Sequence, residues 1–222
     1  MTPYARTEIT LILLIGGAIT ALVGIFFHWW ATPLGLLTLA LLLFYRNPPR
    51  KTTAGVDALI APADGKIMRI IRDYDAPDCD VPQLRIIIFL SVFNVHMNRA
   101  PCGGRVTAVQ HHAGKFLNAL REDATDENDN TLVELEPVAP LPGPVFVRQI
   151  AGVLAKRVVC AVKPGDEVSA GEVYGMIKLG SQTEIRVPED PNWELCVKPD
   201  QPVRAGLTVL ARYRRKTGTE TE

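Results

Sequence analysis

One dipeptide, Gly180–Ser181, occurs only once in the chain and lies within the run Gly175–Thr183. Glycine tolerates a positive φ and serine hydrogen-bonds locally, so the dipeptide by itself is typical of a turn. The apolar residues Ile177 and Ile185 on either side belong to segments that alternate as strands do. A serine between two strands could lie beside an unshielded backbone carbonyl. With a base nearby, its hydroxyl could attack its own chain.

A serine nucleophile needs a base within hydrogen-bond reach and a third group that orients the base. His96 directly follows the segment predicted to be the central strand, where side chains stand on a rigid support. His28 falls in the apolar N-terminal segment, and the His111-His112 pair is assigned no role. Asp64 opens another predicted strand and is the candidate third group. The alternatives are a structural histidine and a turn-forming aspartate.

The N-terminal part of the chain is apolar: residues 9–45 contain no Asp, Glu, Lys or Arg. Its first segment, Ile9–Phe27, nearly reaches the roughly 20 residues that span a bilayer, and Ala31–Tyr45 is shorter. The stretch is too long for a signal peptide. Basic flanks place both ends in the cytoplasm. Residues 1–50 are therefore predicted to form a membrane-associated hairpin, either crossing or re-entrant, with a buried soluble hairpin as the alternative.

Residues 51–222 are predicted to form one β-rich domain, because short β-branched runs alternate there with Pro, Gly and Asp. Short helices are predicted at Gly114–Glu122 and Gln149–Ala155, and Asp123–Asn130 is predicted to be an exposed, mobile loop. The predicted strands are 58–60, 65–72, 84–93, 104–111, 132–135, 145–150, 157–162, 172–178, 183–187 and 208–212. The expected fold class is mainly β (α+β), a barrel-sandwich-like domain with short helices behind an N-terminal hydrophobic helical hairpin.

The composition of the chain argues against several classes of function. The formal net charge is zero, so nothing in the charge balance indicates nucleic-acid binding. The four cysteines form no C-x-x-C pair, and the four histidines show no zinc-ligand spacing. Neither a disulfide framework nor a metal site is predicted.

Motifs along nearly the whole chain resemble those of the phosphatidylserine decarboxylase family in its short bacterial and archaeal form. Their common order along the sequence makes the match specific, although any one of them alone would not. The matching segments are the end of the apolar hairpin at Phe44–Arg50, Ala61–Gly65, Val95–Pro101, Gly114–Ala119, Gln149–Gly152 and Gly175–Ser181.

The resemblance implies that the chain cuts itself at Gly180–Ser181 into a β chain of residues 1–180 and an α chain of residues 181–222. Ser181 would attack the Gly180 carbonyl to form an ester. Elimination and hydrolysis would then turn Ser181 into a pyruvoyl group, the covalently bound pyruvate cofactor. The family performs this cleavage with an Asp-His-Ser arrangement, which matches Asp64, His96 and Ser181 here.

The resemblance also implies the reaction and its setting. The pyruvoyl ketone would form a Schiff base with the serine amine of phosphatidylserine and accept electrons as CO2 leaves, giving phosphatidylethanolamine in phospholipid biosynthesis. His96 is the candidate proton donor to the resulting carbanion. The expected partners are phosphatidylserine in an anionic membrane and the self-derived second chain, as a heterodimer that could oligomerise further. The expected location is the cytoplasmic face of the cell membrane, held by the hairpin.

The basic tail at Arg212–Lys216 could add attraction to anionic lipids, with a solvated tail as the alternative. The chain departs from common family residues at Leu179 and Gln182, a change that leaves the reacting atoms alone.

Two other functions were weighed. A lipoyl-like binding module needs an attachment lysine at a hairpin tip, which neither Lys66 nor Lys163 provides. A serine hydrolase needs a G-x-S-x-G elbow, which the chain lacks around Ser181.

Overall fold

A computed structural model gives the architecture of the chain. The residues it describes are 1–76, 79–153, 158–178 and 180–214. The chain divides into two compact units, Met1–Pro49 and Arg50–Glu222.

The first unit is a helical hairpin. Helix α1 spans Arg6–Phe26 and helix α2 spans Ala31–Leu43, with 3-10 turns at Pro3–Ala5 and His28–Trp30. Small residues let the two helices approach closely, since a Cβ added to Gly16 would lie 2.6 Å from the side chain of Thr38.

The surface of this hairpin is apolar. Within the described residues, Pro3–Phe26 is the one helix long and apolar enough to cross a membrane, and His28–Leu43 is a shorter apolar helix. No residue of α1 is buried. This exposure is opposite to what a buried hairpin of a soluble protein would show.

The second unit is built mainly from short strands. Its helix is α3, Ala124–Glu127. The strands of the described residues are β1 (Ala58–Ile60), β2 (Gly65–Tyr74), β3 (Gln83–Leu90), β4 (Met97–Arg99), β5 (Gly104–His112), β6 (Asn130–Pro137), β7 (Val145–Ile150), β8 (Val158–Cys160), β9 (Glu167–Val168), β10 (Val173–Ile177), β11 (Ser181–Pro188), β12 (Trp193–Leu195), β13 (Pro202–Val203) and β14 (Val209–Tyr213).

These strands form three antiparallel sheets. The largest has eight strands in the order β13-β2-β3-β11-β7-β6-β5-β9, and the others are β1-β14-β12 and β4-β10-β8. Apolar side chains of the sheets, such as Ile88, Ile185 and Leu210, meet in a single hydrophobic core. The predicted fold class is confirmed: the chain is mainly β, with a short helix and an apolar helical hairpin in front.

One end of the eight-stranded sheet carries the segments singled out from the sequence. Antiparallel register sets the start of β11 at Ser181 beside the end of β3 at Leu90. In the same way, the end of β7 at Ile150 lies beside the start of β6 at Asn130. Strand β2 begins at Gly65 next to the same end of β3. We call this end of the sheet the Ser181 rim.

The helix predicted over Gly114–Glu122 is wrong. Lys115 instead bridges to Asn128, and the Asn128 side chain binds both the backbone N–H and the backbone oxygen of Leu117, at 2.8 and 3.0 Å. An asparagine that takes up backbone groups in this way competes with helical hydrogen bonds. The segment is therefore pinned along residues 127–129 in a non-helical conformation.

The mobile loop predicted at Asp123–Asn130 and the helix predicted at Gln149–Ala155 are also wrong. The first segment contains α3 and buries Thr125 completely. The second begins as the end of strand β7, and its residues 154 and 155 lie outside the described residues. The first error comes from judging a polar segment by its composition, whereas polar groups such as Thr125 are bonded inside the fold.

A cluster of four charged side chains ties α3 to the sheet. Glu184 on β11 accepts hydrogen bonds from Arg85 and, at 2.5 Å, from Arg148. Asp126 of α3 lies 2.5 Å from Arg85. Burial by itself raises the pKa of Asp126, but the hydrogen bond and charge of Arg85, together with Arg148, hold that pKa below its ordinary value.

Replacing Glu184 with glutamine is expected to destabilise the chain by about 3 kcal/mol or more, because Arg85 would keep its charge in the interior with one partner fewer. Thermal unfolding in detergent should show a drop of roughly 6 °C or more. The control is Glu194→Gln, which removes a partner of Arg214 where the side chains are 50% and 73% exposed. This exposed pair should contribute less than about 1 kcal/mol. Equal losses in the two variants would contradict the argument.

Candidate active site

The Gly180–Ser181 bond lies where the chain passes from the sheet of β10 to the eight-stranded sheet. Gly180 has φ +64°, in the left-handed region that strains other residues. Ser181 is fully buried, and its Oγ has no hydrogen-bond partner among the described residues. Leaving a buried hydroxyl unpaired costs about 1–3 kcal/mol, so a purely structural serine would be poorly placed here.

The carbonyl of Gly180 packs against the backbone of Gly152, just beyond the end of β7. A Cβ built on Gly152 would lie 1.8 Å from the Gly180 oxygen and 3.0 Å from its carbonyl carbon. The same Cβ would contact the Cβ of Ala119 at 3.5 Å. Only glycine at position 152 therefore leaves room for the carbonyl that Ser181 would attack.

The residue after Ser181 anchors the site to the segment before α3. The buried side chain of Gln182 donates to the backbone oxygen of Ala119 at 2.6 Å and accepts from the hydroxyl of Thr125 at 2.6 Å. Its amide nitrogen also lies 3.5 Å from Sδ of Met68. The departure from the common family residue at this position thus contributes to packing inside the protein.

His96 is held in one orientation by a backbone carbonyl. Its Nδ1 lies 2.9 Å from the oxygen of Asn94, and the ring is fully buried. Because a carbonyl only accepts, Nδ1 of the neutral ring donates, and Nε2 is then the nitrogen that can take up a proton. The backbone oxygen of His96 also accepts from the N–H of Ile177 at 3.1 Å, which holds His96 beside the end of β10. This tautomer is the one a general base requires.

Asp64 is buried and directly precedes β2. Arg50 donates to both of its carboxylate oxygens, with Nη2 to Oδ2 at 2.8 Å. The backbone N–H of Ala205 donates to Oδ1 at 2.8 Å, and Arg50 also donates to the Ala205 oxygen at 2.8 Å. The carboxylate is therefore fixed and charge-compensated by groups from two distant parts of the chain.

The three predicted site residues belong to elements that the β-sheet register brings toward the Ser181 rim. Asp64 precedes β2, Ser181 opens β11, and His96 is held beside the end of β10. Hydrogen bonds orient His96 through Asn94 and Asp64 through Arg50. The catalytic roles of the three stay predictions.

Three residues that contact the site, Gly152, Asn94 and Arg50, were not predicted as site residues from the sequence. Gly152 closes the matched motif Gln149–Gly152, which was an available signal for it. The Asn94 contact is made by a backbone oxygen, which any residue would supply, so sequence offers no signal. Arg50 closes the matched segment Phe44–Arg50 and was otherwise interpreted as part of a basic membrane flank.

Two other polar residues, His111 and Arg99, have structural contacts. His111 is exposed and lies 3.0 Å from Asp129. Arg99 is buried and donates to the backbone oxygen of Gly171 at 2.8 Å. Burial lowers the pKa of Arg99, and the neighbouring charge of Arg50 lowers it further, against an opposing effect of Asp64. Within the described ranges, no group of three or more His, Cys, Asp or Glu side chains is arranged as metal ligands would be.

Comparison with known proteins identifies the family of the chain. The family model described as phosphatidylserine decarboxylase matches residues 37–211, which include Asp64, His96 and the Gly180–Ser181 bond. The chain belongs to the phosphatidylserine decarboxylase family.

Relatives in this family match the chain over most of its length. A phosphatidylserine decarboxylase proenzyme of Rhodopirellula baltica is 41% identical over 218 residues, covering 96% of this chain and 89% of the relative. A proenzyme of the same name from Nitrobacter winogradskyi is 37% identical over 211 residues, covering 92% and 83%. One from Solibacter usitatus is 40% identical over 183 residues, covering 82% and 83%.

Membership of the phosphatidylserine decarboxylase family makes the chain an enzyme of the decarboxylase class. It decides against the two alternatives weighed from the sequence, a non-catalytic lipoyl-like binding module and an ordinary serine hydrolase.

Proposed function

We propose that this chain converts phosphatidylserine to phosphatidylethanolamine and CO2 in phospholipid biosynthesis, using a pyruvoyl group that it makes from its own Ser181. Family membership and relatives named as proenzymes support this reaction. The observation that carries the proposal is the Gly180–Ser181 step. There a buried hydroxyl, without a hydrogen-bond partner among the described residues, follows a left-handed glycine whose carbonyl packs against another glycine.

The residues present fit a pyruvoyl group at position 181. Ser181 already occupies a buried position at a strand start, and the loss of its Oγ breaks no hydrogen bond within the described residues. In a pyruvoyl group, Cβ of residue 181 would become a methyl group, and a ketone oxygen on Cα would take the place of the amide nitrogen.

Self-cleavage would proceed in steps that use the chain's own atoms. Ser181 Oγ attacks the carbonyl carbon of Gly180 as its proton passes to Nε2 of His96, and the C–N bond breaks to give an ester and a free amine. Loss of the Ser181 α-proton then expels the Gly180 carboxylate and leaves dehydroalanine. Addition of water releases ammonia and leaves the pyruvoyl group at the start of the chain 181–222.

Asp64 and His96 complete the proposed cleavage machinery. His96 acts as base, in the tautomer that its contact with Asn94 favours. Asp64, fixed by Arg50, is the proposed third group of the arrangement. A variant Asp64→Asn that cut itself at the wild-type rate would remove Asp64 from this assignment.

When formed, the pyruvoyl group supplies the electron sink for decarboxylation of the serine head group. His96 is the proposed donor of the proton that replaces CO2 on the substrate carbon, because histidine titrates near neutral pH. A cleaved His96→Ala preparation with normal decarboxylation would exclude this second role.

The two product chains would remain together as a heterodimer. Strand β11 begins the smaller chain and lies between β3 and β7 of the larger chain, with hydrogen-bonded pairing on both sides. Strands β13 and β14 likewise pair with β2 and β1. Cleavage at the end of a strand leaves all these ladders intact.

The apolar hairpin is the proposed anchor at the cytoplasmic face of the cell membrane. It would keep the enzyme at the surface where its lipid substrate lies. The tail adds less charge than its sequence indicates, since Arg212 and Arg214 pair with Asp57 and Glu194. Residues 215 and 216 of the tail lie outside the described residues.

Intact-mass analysis under denaturing conditions tests the proposed function. The wild-type chain should give two products that match 1–180 and 181–222, the smaller one lacking a free amino terminus. Under native conditions in detergent the two should migrate together. The His96→Ala variant should cleave more slowly by about 10²–10⁴-fold, the usual contribution of a positioned base.

The matched control is His111→Ala, which removes an exposed histidine with an aspartate partner. This variant should cut itself and decarboxylate phosphatidylserine as the wild type does. A single full-length wild-type chain with decarboxylase activity would overturn the proposal.

A further inference from the structure

Exposed apolar side chains of the catalytic unit concentrate around one end of its sheet. Nine large apolar side chains of the described residues beyond Pro49 are exposed. Five of these nine side chains lie on three separate loops that begin at the Ser181 rim. The five include both phenylalanines of the nine. They are Val92 (40% exposed), Phe93 (84%), Phe116 (40%), Leu120 (61%) and Val153 (50%), and we call them the apolar lip.

The first loop joins the end of β3 to His96. The Ser91 N–H donates to the Asn94 side chain at 2.9 Å, and the Asn94 N–H donates to the Ser91 oxygen at 3.0 Å. These bonds close a tight turn with Phe93 on its outside. The same Asn94 holds His96 through its backbone oxygen. The most exposed aromatic ring of the catalytic unit is thus carried by the turn that orients the proposed base.

The other two loops meet at the scissile bond. Leu120 follows Ala119, whose backbone oxygen binds Gln182 beside Ser181. Val153 follows Gly152, the residue packed against the Gly180 carbonyl. Each exposed side chain is therefore only one residue from a group that contacts the cleavage site or its neighbour.

At the opposite end of the sheet, the exposed large apolar side chains of the described residues are not grouped in this way. Val81 precedes β3 and is 52% exposed, and Val138 follows β6 and is 57% exposed. Both are single valines. This difference between the two ends matters because a group of exposed apolar side chains marks an interaction surface. Isolated exposed apolar side chains, by contrast, are normal on any protein.

We propose that the apolar lip docks the catalytic unit on the lipid bilayer, with the lip side chains in the interfacial layer and the Ser181 rim facing the head groups. This inference rests on the proposed function and adds a second membrane contact to the hairpin. Burying apolar surface among acyl chains is favourable in proportion to its area. The lip would set the rim at the depth where a lipid head group can reach position 181 without leaving the membrane.

A bilayer fits the lip better than a second copy of the chain does. Stable protein interfaces use about 20–30 residues on each side, far more than five side chains on the tips of separate loops.

The test compares the full-length double variant Phe93→Ser/Leu120→Ser with the matched control Val81→Ser/Val138→Ser. Each is assayed on monomeric short-chain phosphatidylserine and on phosphatidylcholine vesicles that contain long-chain phosphatidylserine. Rates are expressed per vesicle-bound enzyme, measured by flotation, because the hairpin is present in all variants. The lip variant should cut itself normally and keep its rate on monomers, but lose about tenfold or more on vesicles. The control should match the wild type on both substrates.

A second measurement is independent of activity. Phe93→Cys and Val138→Cys are labelled with an environment-sensitive fluorophore after replacement of Cys79, Cys160 and Cys196 by serine. Vesicles should shift the emission at position 93 to the blue and allow quenching by lipid-attached quenchers, but not at position 138. Absence of this difference overturns the docking proposal.

The remaining outcomes are distinguishable. Equal losses on monomers and vesicles would give the lip a structural role, and a change of oligomer size in detergent would make it an interface between copies. Either result rejects lipid docking. A wild-type enzyme that acts on neither phosphatidylserine preparation would reject the proposed function, while the fluorescence experiment would still decide whether the lip meets lipid.

Discussion

Replacing Ser181 with alanine is expected to leave one uncut chain without decarboxylase activity. Alanine has no hydroxyl to attack Gly180, and it cannot become a pyruvoyl group. The substitution therefore removes both the nucleophile of cleavage and the precursor of the cofactor. Since enzymes accelerate reactions by at least about 10⁶-fold, the loss should exceed any reasonable detection limit. Intact mass and release of CO2 from phosphatidylserine measure the two effects on the same sample.

Thermal unfolding of the Ser181→Ala chain distinguishes a loss of chemistry from misfolding. Ser181 Oγ is buried without a hydrogen-bond partner in the described structure, so its removal should leave the melting temperature unchanged or slightly higher. The control is Ser169→Ala, which removes an exposed serine hydroxyl. This variant should cut itself and decarboxylate phosphatidylserine normally. Cleavage of the Ser181→Ala chain at the same bond would show that another group is the nucleophile.

Replacing Gly152 with alanine is expected to suppress self-cleavage by about a hundredfold or more. The new Cβ would lie 1.8 Å from the Gly180 oxygen, so the scissile carbonyl must move away from its present position. A displacement of about 1 Å in a reacting group can cost about 10²-fold. A time course of the two chains on a denaturing gel measures the rate directly.

The control for this variant is Gly103→Ala, whose Cβ would meet its nearest neighbour at an ordinary 3.7 Å. That chain should cleave like the wild type. Comparing Gly152→Ala/Ser181→Ala with Ser181→Ala by thermal unfolding then measures the steric cost without any cleavage. Rapid cleavage of Gly152→Ala would show that the carbonyl does not depend on this close contact.

Much of the fold could be predicted from local pattern. Alternating β-branched residues marked β2, β7 and β11, and the apolar run Ile86–Leu90 of β3 marked a strand buried on both faces. The apolar hairpin was evident because a long stretch without charges is typical of helices that lie in a bilayer. These elements could be predicted because the periodicity of a strand or a helix is contained in a few neighbouring residues.

The segment 114–130 was misjudged for the opposite reason. Residues 114–122 were predicted to be a helix, and the polar side chains of residues 123–130 suggested an exposed loop. Asn128 and Thr125 are instead buried and bind groups far away in sequence. Whether a polar residue is exposed or satisfied in the interior depends on partners brought by the tertiary fold. No window of neighbouring residues contains that information.

The sequence by itself determined the candidate bond, Gly180–Ser181, and the residue types that could act on it, because a motif preserves chemical identity and order. Only the tertiary structure decided what surrounds that bond. It packs Gly152 against the scissile carbonyl, ties Asp64 to Arg50 and turns His96 through the carbonyl of Asn94. The Gly152 and Arg50 contacts arise only when segments that lie apart in the sequence meet in the fold. The Asn94 contact is local but is made by a backbone atom, which no residue type in the sequence reveals.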